Sequence, residues 1–303
     1  MKKPFNAKWV LLVALALIWG SSFILMKKGL TAFEPAQVAG IRMLVACLAT
    51  LPLLLPRLHR IRWPQAGYMG IVGAVGSGIP ALLFATAQTR ISSYLAGMLN
   101  ALTPLFTLLL GVMMFRSRFT QLQSWGVFVG FVGAAGLVLL RSGGGLSSDA
   151  GFAALIVLAT CCYGISVNVI KTYLSGEDAL TISSVSLLGV GIPYGIYLFS
   201  TDFLHRLLHM PGAILAFGSL ALLSILGTAL SNILYFQLVK TAGPLFASAV
   251  TYLMPVVALG WGIWDGEQLH SIHLLAMAGI LGGVGLISAG SIKSAKKAPE
   301  GTV

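Results

Sequence analysis

Ten apolar segments make up most of this chain, and each is long enough to cross a lipid bilayer. A spanning helix needs roughly 20 predominantly apolar residues, and the connections between these segments are too short to form separate domains. Strands of a transmembrane barrel would be shorter and would alternate polar with apolar residues. The sequence therefore predicts an all-α polytopic membrane protein with ten transmembrane helices, at about residues 8–28, 35–56, 65–88, 91–114, 121–140, 150–172, 179–200, 211–238, 243–264 and 271–291.

The charge content supports this class of protein. Only 9% of the 303 residues are charged and 57% are hydrophobic, whereas soluble domains are about 25% charged. A soluble body of this size could not cover its surface, which argues against a soluble enzyme, a nucleic-acid-binding protein or a disulfide scaffold. The net charge of +11 does not indicate a nucleic-acid partner, because the basic residues lie in short runs between apolar segments. The predicted surroundings are membrane lipid.

The distribution of basic residues predicts the orientation in the membrane. With the amino terminus inside, 13 Lys and Arg residues lie on the inner side and 5 on the outer side, and Arg42 lies within the second segment. Such a bias favours both termini being cytoplasmic. The first segment has no cleavage site before a polar mature chain and is interpreted as a retained span. The predicted location is the plasma membrane, the inner membrane of a bacterium.

An internal repeat divides the chain into two halves of five segments. Ala101–Gly111 resembles Tyr252–Gly262, and ordered matches recur at fixed offsets. Because five is an odd number, the second half crosses the membrane with opposite polarity, which is typical of secondary transporters with a site near the midplane. We predict a first repeat at 1–145, an inverted second repeat at 146–292 and a short basic cytoplasmic tail at 293–303. The matching pairs are Pro104/Pro255, Gly111/Gly262, Gly76/Gly227 and Ala96/Ala247 at offset 151, and Trp19/Tyr163, Gly20/Gly164 and Lys27/Lys171 at offset 144.

The motif Trp19-Gly20-Ser21-Ser22-Phe23 resembles the opening signature of EamA-type permeases of the drug/metabolite transporter superfamily. The prolines of the fourth and ninth segments and the glycine-spaced fifth and tenth segments fit the same family, and Arg42 matches an arginine common in its second span. The resemblance implies a ten-helix export or exchange permease, with a cavity among spans one, three, four, six, eight and nine. The glutamate common after the fourth-type span is present at Glu267, but the first half has Arg116 instead.

Polar side chains at helical spacing give the same segments a polar face. Asparagines are costly to place in hydrocarbon and favour a cavity, and neighbouring aromatic rings would suit a substrate with an apolar part and a polar head. The alternative for each residue is ordinary helix packing. The candidate substrate-binding residues are Trp19, Phe84, Asn100, Tyr163, Asn168, Asn232, Tyr235 and Tyr252.

Three further residues are candidate gating or hinge residues. Pro104 and Pro255 each free a backbone carbonyl one turn earlier and permit a kink, which could be a hinge or a static bend. Arg42 is the only charge well inside a segment, and intramembrane charges usually face protein or water and mark function. A structural bond of Arg42 to carbonyls at a helix end is the competing interpretation.

All eight acidic residues lie in connections, at segment ends or in the tail, and the histidines are also outside the segment cores. No midmembrane proton relay, nucleotide-binding loop, hydrolase motif or metal motif is present, so we predict no catalytic residue, metal or cofactor. The prediction is a secondary transporter that exports or exchanges amino acids or similar small polar metabolites by alternating access, as a monomer or homodimer. The alternatives are an exchanger of anionic metabolites (sugar phosphates or nucleotide sugars) and a membrane enzyme or scaffold without transport.

Overall fold

The computed structural model describes residues 5–115, 120–139, 148–242, 250–269 and 271–297. Every regular element in these ranges is a helix. The α-helices are α1 Phe5–Gly29, α2 Pro35–Leu54, α3 Trp63–Gly73, α4 Ile79–Ala87, α5 Ser93–Asn100, α6 Thr103–Phe115, α7 Gln121–Leu139, α8 Ser148–Tyr173, α9 Ala179–Phe199, α10 Phe203–His209, α11 Ala213–Ser224, α12 Ser231–Ala242, α13 Val250–Trp264 and α14 Ser271–Lys297.

Eight helical stretches are long and apolar enough to cross a membrane. The shorter apolar helix α13 and the 19-residue α7 account for two more of the predicted segments, so the structure is consistent with ten crossings. The prediction of an all-helical membrane protein is confirmed. The eight stretches are Lys8–Gly29, Pro35–Arg57, Pro64–Ala87, Ser93–Met114, Asp149–Tyr173, Ala179–Phe199, Ala213–Tyr235 and His273–Gly290.

Two of the spanning stretches contain a π-helical insert at the same place in each repeat. Residues Ala74–Gly78 (π1) join α3 to α4, and residues Ile225–Leu230 (π2) join α11 to α12. The offset of 151 places 74–78 on 225–229, so the two inserts coincide. A π-helical turn shifts the backbone pairing from i−4 to i−5 and is frequent at functional sites.

The fourth segment is broken, whereas the described part of the ninth is continuous. Helix α5 ends at Asn100 and α6 begins at Thr103, because Pro104 has no N–H with which to bond the Asn100 carbonyl. The Thr103 hydroxyl donates to that carbonyl instead, at 2.8 Å. Pro255 lies inside α13, which runs unbroken from Val250.

The first helix of each repeat packs mainly on the other repeat. Helix α1 lies against α11, π2, α12 and α13, and α8 lies against α3, π1, α4 and α6. Glycines permit the close approach: a methyl group on Gly20 would come within 2.5 Å of Val257 Cβ, and one on Gly164 within 2.9 Å of the Phe106 carbonyl carbon. These two contacts are equivalent under the repeat. The packing therefore exchanges helices between the two halves.

Helices α7 and α14 pack backbone to backbone through glycines. A methyl group on Gly126 would lie 2.6 Å from the Gly283 carbonyl oxygen, and one on Gly283 would lie 2.5 Å from the Gly130 nitrogen. Small residues permit this approach between membrane helices. These glycines form an internal contact between the fifth and tenth segments.

The main apolar core lies where α1, α5 and the eighth segment meet, and includes the fully buried Leu15, Leu99 and Leu220. Large apolar side chains such as Trp264 and Leu215 are exposed on the outer surface. That surface suits lipid, because hydrocarbon carries no penalty for exposed apolar groups.

Candidate functional site

Trp19 fixes α1 to the π-helical insert of the second repeat. It lies near the middle of the stretch Lys8–Gly29, and its indole Nε1 donates to the Gly227 carbonyl at 3.1 Å and to the Ser231 hydroxyl at 2.8 Å. The Ser231 N–H bonds to the carbonyls of Leu226 and Thr228 and not to that of Gly227, its partner in an α-helix. Trp19 thus bonds a carbonyl that the π-helical register leaves to other donors.

Four of the candidate aromatic residues form two equivalent pairs. The rings of Trp19 and Tyr235 are 5.3 Å apart between centroids, and those of Tyr163 and Phe84 are 6.2 Å apart. Trp19 matches Tyr163 at the offset of 144, and Phe84 matches Tyr235 at the offset of 151. Each pair joins the first helix of one repeat to the third segment of the other.

Phe23 connects the two aromatic pairs. It lies one turn after Trp19 on α1, and its ring is 5.8 Å from that of Phe84. A serine on each exchanged helix also faces a π-helical insert: Ser22 Oγ lies 2.9 Å from where a methyl on Gly227 would be, and Ser166 Oγ 2.5 Å from one on Gly76. The aromatic and hydroxyl groups thus follow the internal symmetry.

Arg42 enters the same region from α2. Its Nε donates to Thr228 Oγ1 at 3.3 Å, one residue beyond the carbonyl that Trp19 bonds, and it lies within electrostatic reach of Tyr163. In the part of the chain that the structure describes, Arg42 forms no ion pair. The guanidinium therefore lies beside both repeats, and no carboxylate of the described residues neutralises it.

The three candidate asparagines have different surroundings. Asn100 lies at the break between α5 and α6, and its Oδ1 is buried without a hydrogen-bond donor among the described residues. Asn168 Nδ2 donates to the carbonyls of Thr107 at 2.9 Å and Gly164 at 2.8 Å, which ties α8 to α6. Asn232 Nδ2 makes a long contact of 3.4 Å to Ser183 Oγ on α9.

Tyr252 is directed toward the tenth segment. Its hydroxyl donates to the Val284 carbonyl at 2.8 Å and lies 2.7 Å from Ser288 Oγ. These two contacts hold α13 to α14. The region where the two repeats meet instead contains Trp19, Phe84, Tyr163, Tyr235 and Arg42.

A charged cluster closes the end of the bundle at which α1 ends. Glu267 Oε1 accepts from Lys27 Nζ at 2.6 Å and from the backbone N–H of Ser93 at 3.0 Å, and Asp265 pairs with Lys27 and Lys28 at 2.7 Å. Glu267 thus neutralises the amino-terminal end of α5. Although burial opposes ionisation, the hydrogen bonds from Lys27 and Ser93 hold the pKa of Glu267 below its usual value. Hydrogen bonds from Lys27 and Lys28 lower the pKa of Asp265.

The sequence did not predict the contacts of three residues that hold this region together, Thr228, Ser231 and Glu267. Thr228 and Ser231 stood on the polar face of the eighth segment, but their pairing with Arg42 and Trp19 follows from the π-helical register. Glu267 could have been paired with Lys27 from its place at the end of the ninth segment. Its equivalent, Arg116, lies outside the described residues.

Two helical repeats in a membrane protein, with polar and aromatic residues where they meet, are typical of secondary transporters. The EamA-like transporter family matches this chain at residues 7–139 and again at residues 152–289. The chain belongs to the EamA-like transporter family. It is a multi-pass membrane transporter and not an enzyme.

Named relatives cover most of the chain. It is 29% identical over 287 residues to the uncharacterized inner membrane transporter YedA of Escherichia coli (strain K12), covering 92% of this chain and 90% of the relative. It is 24% identical over 290 residues to the "Probable terminal-alkyne amino-acid exporter" of Streptantibioticus cattleyicolor, covering 94% of each. A solved crystal structure shares the fold with a TM-score of 0.61 at 16% identity, over 97% of this chain and 99% of that one.

Proposed function

We propose that this transporter exports or exchanges amino acids or similar small polar metabolites across the bacterial inner membrane by alternating access. The observation that carries the proposal is the equivalence of the two aromatic pairs, Trp19/Tyr235 and Tyr163/Phe84. If the repeats cross the membrane in opposite directions, as the sequence predicts, we expect one pair to lie nearer each membrane face. A substrate moving between the faces meets the same apolar surface twice.

Polar groups between the two pairs would hold the head of the substrate. The unpartnered Asn100 Oδ1 lies at a break in a helix, and broken helices at membrane depth occur where backbone borders a cavity. Among the described residues, Asn232 makes a single long hydrogen bond, to Ser183. Apolar rings beside a few polar groups suit a small amphiphilic metabolite, and one relative bears the name of an amino-acid exporter.

Gating would use the charged cluster of Lys27, Lys28, Asp265 and Glu267. In the predicted orientation this cluster closes the outer end of the bundle. On the opposite side, Arg57 Nε and Asp178 Oδ2 are separated by 3.9 Å, a looser ion pair. The arrangement therefore supports a state closed to the outside, with the break at Pro104 as the first hinge and Pro255 as the second.

Counterflow in proteoliposomes tests the proposal. Proteoliposomes that contain the purified transporter are preloaded in turn with leucine, phenylalanine, tryptophan and glucose 6-phosphate. Entry of the same compound in labelled form is then followed without an ion gradient. We expect accumulation of at least one amino acid and a loss of about tenfold or more in Asn232→Ala. Gln121→Ala, an exposed amide at the start of α7, is the matched control. Folded protein that moves none of the amino acids would contradict the proposal.

Anionic metabolites are the second candidate, because the intramembrane cation Arg42 has no acidic partner among the described residues. Sugar phosphates carry up to two negative charges, and a single arginine is a modest site for them. Counterflow of glucose 6-phosphate without counterflow of amino acids would favour this candidate.

A further inference from the structure

We propose that Arg42 binds the carboxylate of the transported substrate through its terminal guanidinium nitrogens. This inference rests on the proposed function, because it assigns the chemical group that the transport site recognises. It makes the substrate a monocarboxylate or zwitterion whose apolar part lies against the aromatic pairs.

The first argument is the position of the charge. In the candidate spans, Arg42 is the only Lys, Arg, Asp or Glu more than three residues from an end. Seven residues separate it from Pro35, which is about 10 Å along a helix. A charge at this depth is costly and is retained where it meets protein, water or a ligand.

The second argument is the number of unused donors. A guanidinium has five N–H groups in a rigid fork, and among the described residues Arg42 donates only from Nε, to Thr228 Oγ1 at 3.3 Å. No described carboxylate forms an ion pair with it. Seven of the eight acids lie in the described ranges, and none of these seven pairs with Arg42. The free edge of the fork fits a planar carboxylate with two parallel hydrogen bonds.

The third argument is the surroundings of the fork. Thr228 fixes Nε from the π-helical insert, and the next residue toward the amino terminus, Gly227, accepts from Trp19. Tyr163 of the other aromatic pair lies within electrostatic reach. Rings of both pairs therefore lie near the charge, which matches a ligand with one negative group and an apolar side chain. A phosphate dianion would leave one charge without a partner.

Ligand-induced thermal stabilisation tests this assignment without transport. The purified, full-length transporter in detergent is titrated with alanine, leucine, phenylalanine, tryptophan and 4-methylpentanoate. Leucinamide and phenylalaninamide are the matched compounds without a carboxylate, and glucose 6-phosphate is the anionic alternative. We expect at least one carboxylate to raise the melting temperature of the wild-type protein. Its amide should need a concentration at least tenfold higher to give the same shift.

Five variants test whether the effect depends on Arg42. Arg42→Gln is expected to weaken the carboxylate response roughly 10- to 100-fold, which corresponds to one charge-assisted contact. Arg42→Lys keeps the charge but not the fork and is expected to be intermediate. Thr228→Val releases Nε and weakens the response, whereas Thr228→Ser restores it. Arg62→Gln, which removes an exposed cation before α3, should leave the response unchanged, and the melting temperature without ligand reports the folding of each variant.

The outcomes separate this inference from the proposed function. Amino-acid counterflow that continues in Arg42→Gln with an unchanged preference for carboxylates over amides would overturn the inference and leave the function standing. A carboxylate response lost in Arg42→Gln, in protein that moves no amino acid, supports the inference and contradicts the function. Stabilisation by glucose 6-phosphate alone, or by no carboxylate, would show the assignment to be wrong.

Discussion

Trp19 donates a hydrogen bond from its indole Nε1 to the Gly227 carbonyl, at 3.1 Å, and so joins the first helix of one repeat to the π-helical insert of the other. The residue equivalent to Ser231 in the first repeat is Pro80, which has no N–H to offer the Gly76 carbonyl. In the first repeat, Pro80 leaves the Gly76 carbonyl without its α-helical donor. In the second repeat, the Ser231 N–H bonds other carbonyls than that of Gly227. Both give a spanning helix an irregular turn at the same depth.

Replacing Trp19 by phenylalanine should destabilise the protein and slow exchange. The ring is kept, but the Gly227 carbonyl and the Ser231 hydroxyl lose the donor at Nε1, at an expected cost of about 1–3 kcal/mol. Melting temperature in detergent and counterflow rate are the measurements. Trp264→Phe, at a ring that is 79% exposed, should change neither, and equal effects of the two substitutions would contradict the structural role of Trp19.

Removing the amide of Asn100 should slow transport without lowering the stability of the protein. Its Oδ1 is buried without a partner in the described structure, so Asn100→Ala should leave the melting temperature unchanged or raise it, while counterflow falls about tenfold or more. Asn168→Ala is the contrasting variant, because it removes a hydrogen bond from α8 to the Thr107 carbonyl of α6 and a second one within α8, and it should lower the melting temperature. A lower melting temperature in Asn100→Ala with normal transport would show that Asn100 serves packing.

Acidification should weaken the closed end of the bundle through Glu267. Its pKa is lower in the folded protein than its usual value, so its stabilising effect is present above about pH 4.5 and is lost as the pH falls through the folded pKa. The melting temperature of Glu267→Gln should lie below that of the wild type at pH 7, and the difference should vanish in acid.

Asp265 adds a second contribution to this pH dependence, because its pKa is lowered in the same direction by Lys27 and Lys28. The double variant Asp265→Asn/Glu267→Gln should therefore have the flattest melting profile between pH 7 and 3. Glu177→Gln is the control, since Glu177 forms no ion pair within the described residues. A constant difference between wild type and Glu267→Gln at every pH would argue against an ionised Glu267.

Adjacent glycines of α14 should respond differently to alanine. A methyl group on Gly283 would lie 2.5 Å from the Gly130 backbone nitrogen, whereas one on Gly282 would meet nothing within 4 Å. Because backbone cannot move aside without separating α7 from α14, Gly283→Ala should cost about 1–3 kcal/mol, and Gly282→Ala should be neutral or slightly stabilising. Melting temperatures of the two variants give the comparison directly, and similar values would contradict the contact.

The fold was predictable because it follows from patterns that hydropathy and symmetry expose. Spanning length and the scarcity of charge indicated a helical membrane protein, and the pairs Pro104/Pro255 and Gly76/Gly227 indicated two repeats. The π-helical inserts were not predictable in this way. A change of backbone register leaves no change in hydropathy, and Gly76 with Pro80 is also compatible with an ordinary bend.

The candidate site was predictable in its residue types but not in its contacts. Trp19 and Tyr235 are close because α1 packs on the other repeat, and the sequence does not specify that exchange. Asn168 and Tyr252 are of residue types that often line cavities, yet their side chains donate to backbone carbonyls of neighbouring helices. Whether a polar side chain in a membrane helix faces a cavity or a neighbour depends on helix rotation, which composition does not determine.

The exchange of α1 and α8 between the repeats has a consequence for how such a chain could arise. Each five-helix half would lack its main packing surface if its first helix stayed with its own four neighbours. Two copies of a single five-helix ancestor, inserted into the membrane in opposite orientations, would form the same contacts as an antiparallel homodimer. Fusion of two such genes would preserve every interface and fix the opposite insertion of the halves within one polypeptide.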